Sequence, residues 1–210
     1  MHISDGILPI PVWAGSAAAA AVLTAISVRR FDERRIPQVA VLTGLFFTVS
    51  SIAIPVGPSS WHLLLNGLVG LVLGWDCVPS ILLALFFQRI LLGDGGILSL
   101  GANTLIMAGG ALAGFAVFSV RRLFGRRPWT AAAFGFLAGV SSLVASGAIF
   151  YAVMAIADPA FRTFSLANLG LHAPLLLVEP PVTAFAAAFL LKVKPELLDP
   201  LRKATPGVPP

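Results

Sequence analysis

The sequence predicts an all-α, polytopic membrane protein with about seven transmembrane helices. Three features predict this class: an apolar composition, a series of apolar runs, and basic residues confined to alternate loops. Of the 210 residues, 58% are hydrophobic and 11% are charged, and the mean hydropathy is +0.94. A soluble domain carries roughly 25% charged residues. So few charges cannot cover a compact soluble body, whereas a surface that faces lipid needs none.

Seven apolar runs, separated by turn residues or charges, predict the helices in chain order. They cover residues 7–28, 36–54, 62–73, 78–92, 102–120, 129–157 and 171–191. The third and fourth runs are short for full spans, and the turn formers between them indicate a tight hairpin or two tilted, partly sunken helices. We therefore expect a single integral membrane domain over 1–210. It divides into an N-terminal tip (1–6), a helical bundle (7–191) and a cytoplasmic tail (192–210).

The basic residues predict the orientation of the bundle. The chain holds fourteen Lys and Arg residues, and all except Arg89 and Arg162 fall in loops on one side if the N-terminus is outside. Positive charge collects in short cytoplasmic loops, so the N-terminus is predicted outside and the C-terminus in the cytoplasm. The excess of basic residues is explained by loops that face anionic lipids of the bilayer, so it does not require a nucleic-acid partner. No basic residue precedes Arg29, so the first run is predicted to be a retained helix rather than a signal peptide.

Histidine chemistry at the N-terminus predicts a metal site. The bulky His2 should protect Met1 from removal, leaving a free amine beside the His2 amide and its imidazole Nδ1. These three nitrogens form adjacent five- and six-membered chelate rings in one plane, and a fourth nitrogen would complete the square that suits Ni(II) or Cu(II). His62 follows a loop rich in turn formers and is the candidate fourth ligand. The alternative interpretation is that His2 is a mobile terminal residue and His62 an interfacial anchor.

Other polar residues are candidates for an outer shell or an occluding loop around this site. Asn103 can cap its helix or bond the tip, and His172 can orient a ligand or simply lie at the interface. Asp94 belongs to an Asp-Gly-Gly loop that we expect to cover the site. Glu179, an ionisable group at membrane depth, is either functional or an internal hydrogen-bond partner. Cys77 is the only cysteine, which excludes a disulfide and a cysteine-based metal cluster.

Several segments, in order along nearly the whole chain, resemble the CbiM/NikM family, the substrate-capture subunits of energy-coupling-factor transporters for nickel and cobalt. These segments are Met-His-Ile-Ser-Asp-Gly-Ile-Leu at 1–8, Gly-Pro-Ser-Ser-Trp-His-Leu-Leu at 57–64, Gln-Arg-Ile-Leu-Leu-Gly-Asp-Gly-Gly at 88–96, Leu-Gly-Ala-Asn-Thr at 100–104, and Pro-Glu-Leu-Leu at 195–198. The resemblance implies a seven-helix subunit that binds Ni²⁺ or Co²⁺ as transported substrate. Its ligands would be the Met1 amine, the His2 amide and imidazole, and the His62 imidazole.

The resemblance also implies the cellular context. We expect a multi-pass protein of the cell inner (cytoplasmic) membrane, which captures the metal ion outside. Its expected partners are a membrane coupling subunit, separate ATPase subunits and a small accessory membrane subunit. The alternative functions are a stand-alone metal carrier or channel, and an intramembrane hydrolase that uses Ser59 or Ser60 beside His62. The sequence has neither a Gly-x-Ser-x-Gly nor a His-Glu-x-x-His motif, so an enzyme is not expected.

Overall fold

The protein is described by a computed structural model that covers residues 2–52, 54–56, 59–125 and 127–199. The α-helices are α1 (Ile10–Val28), α2 (Ile36–Ser51), α3 (Asn66–Leu73), α4 (Cys77–Phe87), α5 (Leu100–Ser119), α6 (Pro128–Ala157), α7 (Phe161–His172) and α8 (Glu179–Val193). Two three-residue strands, β1 (Ile54–Val56) and β2 (Ser59–Trp61), pair antiparallel between α2 and α3. The all-α prediction is confirmed, with this small hairpin as its one addition among the described residues.

Five helical stretches in the described ranges have the length and apolar composition of a membrane span, although turns interrupt the second and the fifth. They are Ile10–Val28, Asn66–Leu92, Leu100–Phe124, Pro128–Ala157 and Phe161–Val193. The predicted second span is present as α2 but has only 16 residues. The membrane class follows from these helices, while the count of seven spans and the orientation of the termini stay predictions.

The predicted third and fourth runs form a hairpin. The chain turns at Gly74 (φ 60°), and the turn lies beside the α1–α2 connection, where the Ser27 hydroxyl donates to the Trp75 carbonyl at 2.8 Å. Arg35, at the start of α2, pairs with Asp76 in the same turn. α4 then returns toward the N-terminal tip and ends in a π-helical turn, Gln88–Leu92. α3 and α4 therefore run in opposite directions, as a tight hairpin requires.

The last predicted run, 171–191, is not one helix. α7 ends at His172, a 3₁₀ turn spans Ala173–Leu177, and α8 begins at Glu179. Pro174 lacks the N–H group that would continue the hydrogen bonds of α7, while Ala173 before it keeps helical dihedrals (φ −54°, ψ −36°). Pro180 and Pro181 lie in the first turn of α8, where a helix makes no use of the N–H group. His172 consequently lies at the end of α7 rather than at the start of the last helix. The helix α7 itself, which begins at Phe161, was not predicted.

Glycine allows α3 to sink into the centre of the bundle. A Cβ atom at Gly70 would lie 2.0 Å from the Ala111 carbonyl oxygen of α5, and one at Gly67 would lie 2.9 Å from the Gly139 Cα atom of α6. Small residues permit such close backbone packing in helical membrane proteins. The short helix α3 is thereby fixed against α5 and α6, with its N-terminal end below the tip.

Candidate metal centre

The N-terminal tip is bound to the start of α5 through the backbone of Ile3. The Ile3 N–H donates to Oδ1 of Asn103 at 2.8 Å, and Nδ2 of Asn103 donates back to the Ile3 carbonyl at 2.9 Å. The same carbonyl accepts from the Ser99 hydroxyl at 2.6 Å. Ile3 itself is only 2% exposed. Asn103 thus holds both backbone polar groups of the residue that follows His2.

Asp5 fixes the other end of the tip. Its carboxylate accepts hydrogen bonds from the backbone N–H groups of residues 97–99, at 3.0, 2.9 and 3.2 Å. Burial is the largest single influence and raises the pKa of Asp5, but the three N–H donors and the nearby Arg89 together outweigh it and lower the pKa. Gly6 (φ 86°) completes the turn that folds the tip back over this end of the bundle.

The fold brings the two candidate imidazoles together. The ring centroids of His2 and His62 are 5.0 Å apart and the ring planes are within 7° of parallel. With metal–nitrogen bonds of about 2.0 Å, two imidazoles at adjacent corners of a square would have centroids roughly 4.5 Å apart. The observed spacing is therefore close to that of two rings that share one metal ion. His62 is 4% exposed and precedes α3 by several residues, rather than standing at a helix start as expected.

Both imidazoles are held in the neutral form. Burial lowers the pKa of His2 to about 3. Burial also lowers the pKa of His62, to about 2, and the imidazoles of His2 and His172 add to the effect. Neutral imidazole is the form that binds metal ions. Nε2 of His2 is buried and has no hydrogen-bond partner among the described residues, whereas the predicted chelate uses the other ring nitrogen, Nδ1.

The remaining predicted site residues occupy different positions. Met1 lies outside the described residues. His172 is buried, bonds through Nδ1 to the Asn168 carbonyl at 2.8 Å, and is near enough to His62 to influence its pKa. Its ring also lines an apolar cavity of about 340 Å³ between α6 and α7. Asp94 is exposed, and the contact that the structure shows for it is a backbone hydrogen bond to Gln88, at 3.3 Å.

The comparison with known proteins decides the family. Residues 2–197 match the family described as CbiM, the cobalt uptake substrate-specific transmembrane region. The chain belongs to the CbiM family. It is a transmembrane component for cobalt or nickel uptake, and a transport protein rather than an enzyme.

Two relatives and one solved structure illustrate the similarity. The cobalt transport protein CbiM of Sorangium cellulosum is 31% identical over 99% of both chains. The fused nickel transport protein NikMN of Rhodobacter capsulatus is also 31% identical, over 96% of this chain and 65% of its own length. A crystal structure of a truncated transition metal transporter has the same fold, with a TM-score of 0.67 and 24% identity over 93% of this chain and 99% of its own.

Sequence reasoning missed two contacts of this CbiM-family site. Ser99 was not singled out, although its spacing of four residues from Asn103 places both side chains on one side at the start of a helix. The contact of Glu179 was left open: its buried carboxylate accepts the backbone N–H of Leu64, two residues after His62. No sequence pattern connects positions 64 and 179, so only the fold reveals that contact.

Proposed function

We propose that this chain captures a divalent transition metal ion, Ni²⁺ in preference to Co²⁺, through four nitrogens. These are the Met1 amine, the His2 amide nitrogen, the His2 imidazole and the His62 imidazole. The observation that carries the proposal is the buried, nearly parallel pair of His2 and His62 at 5.0 Å. Ni²⁺ is favoured because a planar nitrogen site with a deprotonated amide matches its coordination preference.

The bonds around the tip support capture by a prearranged site. A free terminal peptide would lose conformational freedom on metal binding, and this loss weakens affinity. Asn103 and Ser99 bond the backbone beside His2, and Asp5 closes the turn behind it. We place Asn103 as the residue that holds the tip in its binding conformation.

The remaining candidates surround the same end of the bundle. We place His172 as an outer partner of His62, because its ring is buried nearby and is fixed by the Asn168 carbonyl. Asp94 belongs to the loop that occludes the tip. That loop is anchored by Arg89, which donates to the carbonyls of Gly93 and Gly95 at 2.9 and 3.2 Å.

The proposed context is an energy-coupling-factor importer in the cytoplasmic membrane. Contacts along the chain support seven passes: α3 leaves the tip, α4 returns to it at Arg89, and α5 leaves again from Asn103. With the tip outside, the C-terminal tail lies in the cytoplasm. The fused NikMN relative supports a partner component in the same complex, and a coupling subunit with ATPase subunits would supply the energy for metal release inside.

Nickel binding by the purified protein tests this function. One alanine inserted between Met1 and His2 keeps every side chain but lengthens the chelate, so affinity should fall by orders of magnitude. His62→Ala removes one ligand and should weaken binding and change the visible absorption of the bound nickel. The control is the thermal midpoint of the metal-free protein, which should stay near that of the native chain. Unchanged affinity in the insertion variant would exclude the terminal chelate, and unchanged affinity in His62→Ala would exclude the fourth ligand.

A further inference from the structure

Glu179 is a buried carboxylate at the first position of α8. It is 1% exposed, and α8 starts inside the bundle, where a Cβ atom at Gly139 of α6 would lie 2.6 Å from the Cα atom of Pro180. One turn later, the Thr183 hydroxyl donates to the Glu179 carbonyl at 2.9 Å. The close approach of Pro180 to Gly139 fixes the start of α8 against α6. An ionisable group in such a position needs a specific partner, because desolvation of a carboxylate is costly.

The partner of Glu179 is the segment that joins His62 to α3. Oε1 of Glu179 accepts the backbone N–H of Leu64, across a sequence separation of 115 residues. Leu64 is fully buried, and Leu65 has a φ of 51°, the single positive value among the non-glycine residues that the structure describes. A left-handed leucine is strained and persists only where its surroundings enforce it. The conformation after His62 is thus imposed by tertiary contacts.

The N-terminal ends of two helices offset part of the cost of burying this carboxylate. Glu179 lies in the first turn of α8, and Leu64 precedes the first residue of α3, so the positive ends of two helix dipoles meet at the carboxylate. α3 has no side-chain cap of its own at Leu65. Glu179 supplies an acceptor for the N–H groups at this end from a different helix.

We propose that Glu179 is a positioning residue for metal capture, which holds His62 beside His2 by fixing the backbone at Leu64. The inference rests on the proposed function, because it treats His62 as a ligand. Only Leu63 separates the fixed N–H of Leu64 from the ligand His62, so a shift of the Leu64 backbone moves the imidazole with it. The contact also connects the metal site to α8, and a displacement of α8 from α3 would loosen His62.

Two conservative variants distinguish the length of the Glu179 side chain from its charge. Glu179→Asp keeps the charge but withdraws the acceptor by one methylene, and nickel affinity should fall about 10-fold to 100-fold, as for other residues that orient metal ligands. Glu179→Gln keeps an acceptor at full reach without the charge, and its affinity should stay within about threefold of the native protein. The matched control is Thr183→Val, which removes a hydrogen bond in the same turn of α8 without touching the Leu64 segment. It should bind nickel like the native chain.

A double-mutant cycle with His62→Ala shows whether Glu179 acts through His62. In the His62→Ala background, Glu179→Asp should have no further effect on the remaining affinity beyond about threefold, because the ligand that it positions is absent. An equal loss in both backgrounds would refute the positioning role and indicate general destabilisation. Native affinity in Glu179→Asp, or a large loss in Glu179→Gln, would also refute it.

The two proposals fail in different ways. If His62→Ala alone leaves the affinity and visible spectrum of bound nickel unchanged, the proposed function loses its fourth ligand. If His62→Ala weakens binding but Glu179→Asp does not, only the positioning role is refuted. Glu179→Gln and Glu179→Asp both keep a polar group of similar size at the start of α8. Both variants should therefore fold, and nickel binding can be measured in each.

Discussion

Replacing Asn103 with alanine removes both hydrogen bonds that join its side chain to the backbone of Ile3. They measure 2.8 and 2.9 Å and are buried. In the native chain they fix the backbone beside His2 in one conformation before metal binds. Without them the tip detaches in the metal-free protein, and metal binding must order it again.

The magnitude follows from the count of hydrogen bonds. Each contributes about 1 kcal/mol net, so the two together amount to about 2 kcal/mol, which corresponds to a loss of about 30-fold in affinity. Ser99→Ala removes a single hydrogen bond to the Ile3 carbonyl and should weaken nickel binding about fivefold. The two variants therefore predict a graded series rather than a single effect.

Isothermal titration of the purified protein with Ni²⁺ measures both losses. The matched control is Thr104→Val: Thr104 is adjacent, equally buried, and donates to the Leu100 carbonyl within its own helix at 2.8 Å. This variant should retain native affinity. Native affinity in Asn103→Ala, with an unchanged thermal midpoint, would show that the tip does not need this anchor. A loss of equal size in the control would show that the effect comes from α5 in general.

Three further outcomes follow from the structure. Gly96→Ala should weaken nickel binding, because its Cβ atom would lie 2.0 Å from Oδ1 of Asp5 and displace the closed turn; Gly15→Ala, which meets nothing within 4 Å, is the control in the same titration. Gly70→Ala places a Cβ atom 2.0 Å from a carbonyl oxygen of α5 and should lower stability by about 1–3 kcal/mol in thermal unfolding, with Gly15→Ala again as the control. Acidification of the metal-free protein from pH 7 to pH 4 should lower its thermal midpoint, and less so in His62→Gln. The pKa of His62 falls from 6.5 to about 2 on folding, so below pH 6.5 the unfolded chain binds a proton that the folded chain does not. A midpoint that falls equally in His62→Gln would contradict this explanation.

Much of the bundle could be predicted from local pattern. The runs 102–120 and 129–157 correspond closely to α5 and α6, because an apolar stretch between turn formers has few alternatives to a helix in lipid. The hairpin of α3 and α4 is one of the two arrangements that the turn residues around Gly74 indicate from sequence. The last run was predicted wrongly as one helix, since hydropathy alone does not register the break that Pro174 introduces. His62 was expected at a helix start, but it directly follows β2, and a strained turn at Leu65 separates it from α3.

The candidate site divides in the same way. The order of bonds in Met1 and His2 determines which nitrogens can form chelate rings. The sequence by itself could therefore predict a metal site, and its motifs also indicated the family. The meeting of His2 with His62 and the bond from Glu179 to Leu64 depend on how helices far apart in the chain pack together. Chelate ring sizes depend only on residues that are adjacent in the chain, so they can be predicted from the sequence. Distances between remote segments arise only when α3 is buried between α5 and α6, and only the tertiary structure decided them.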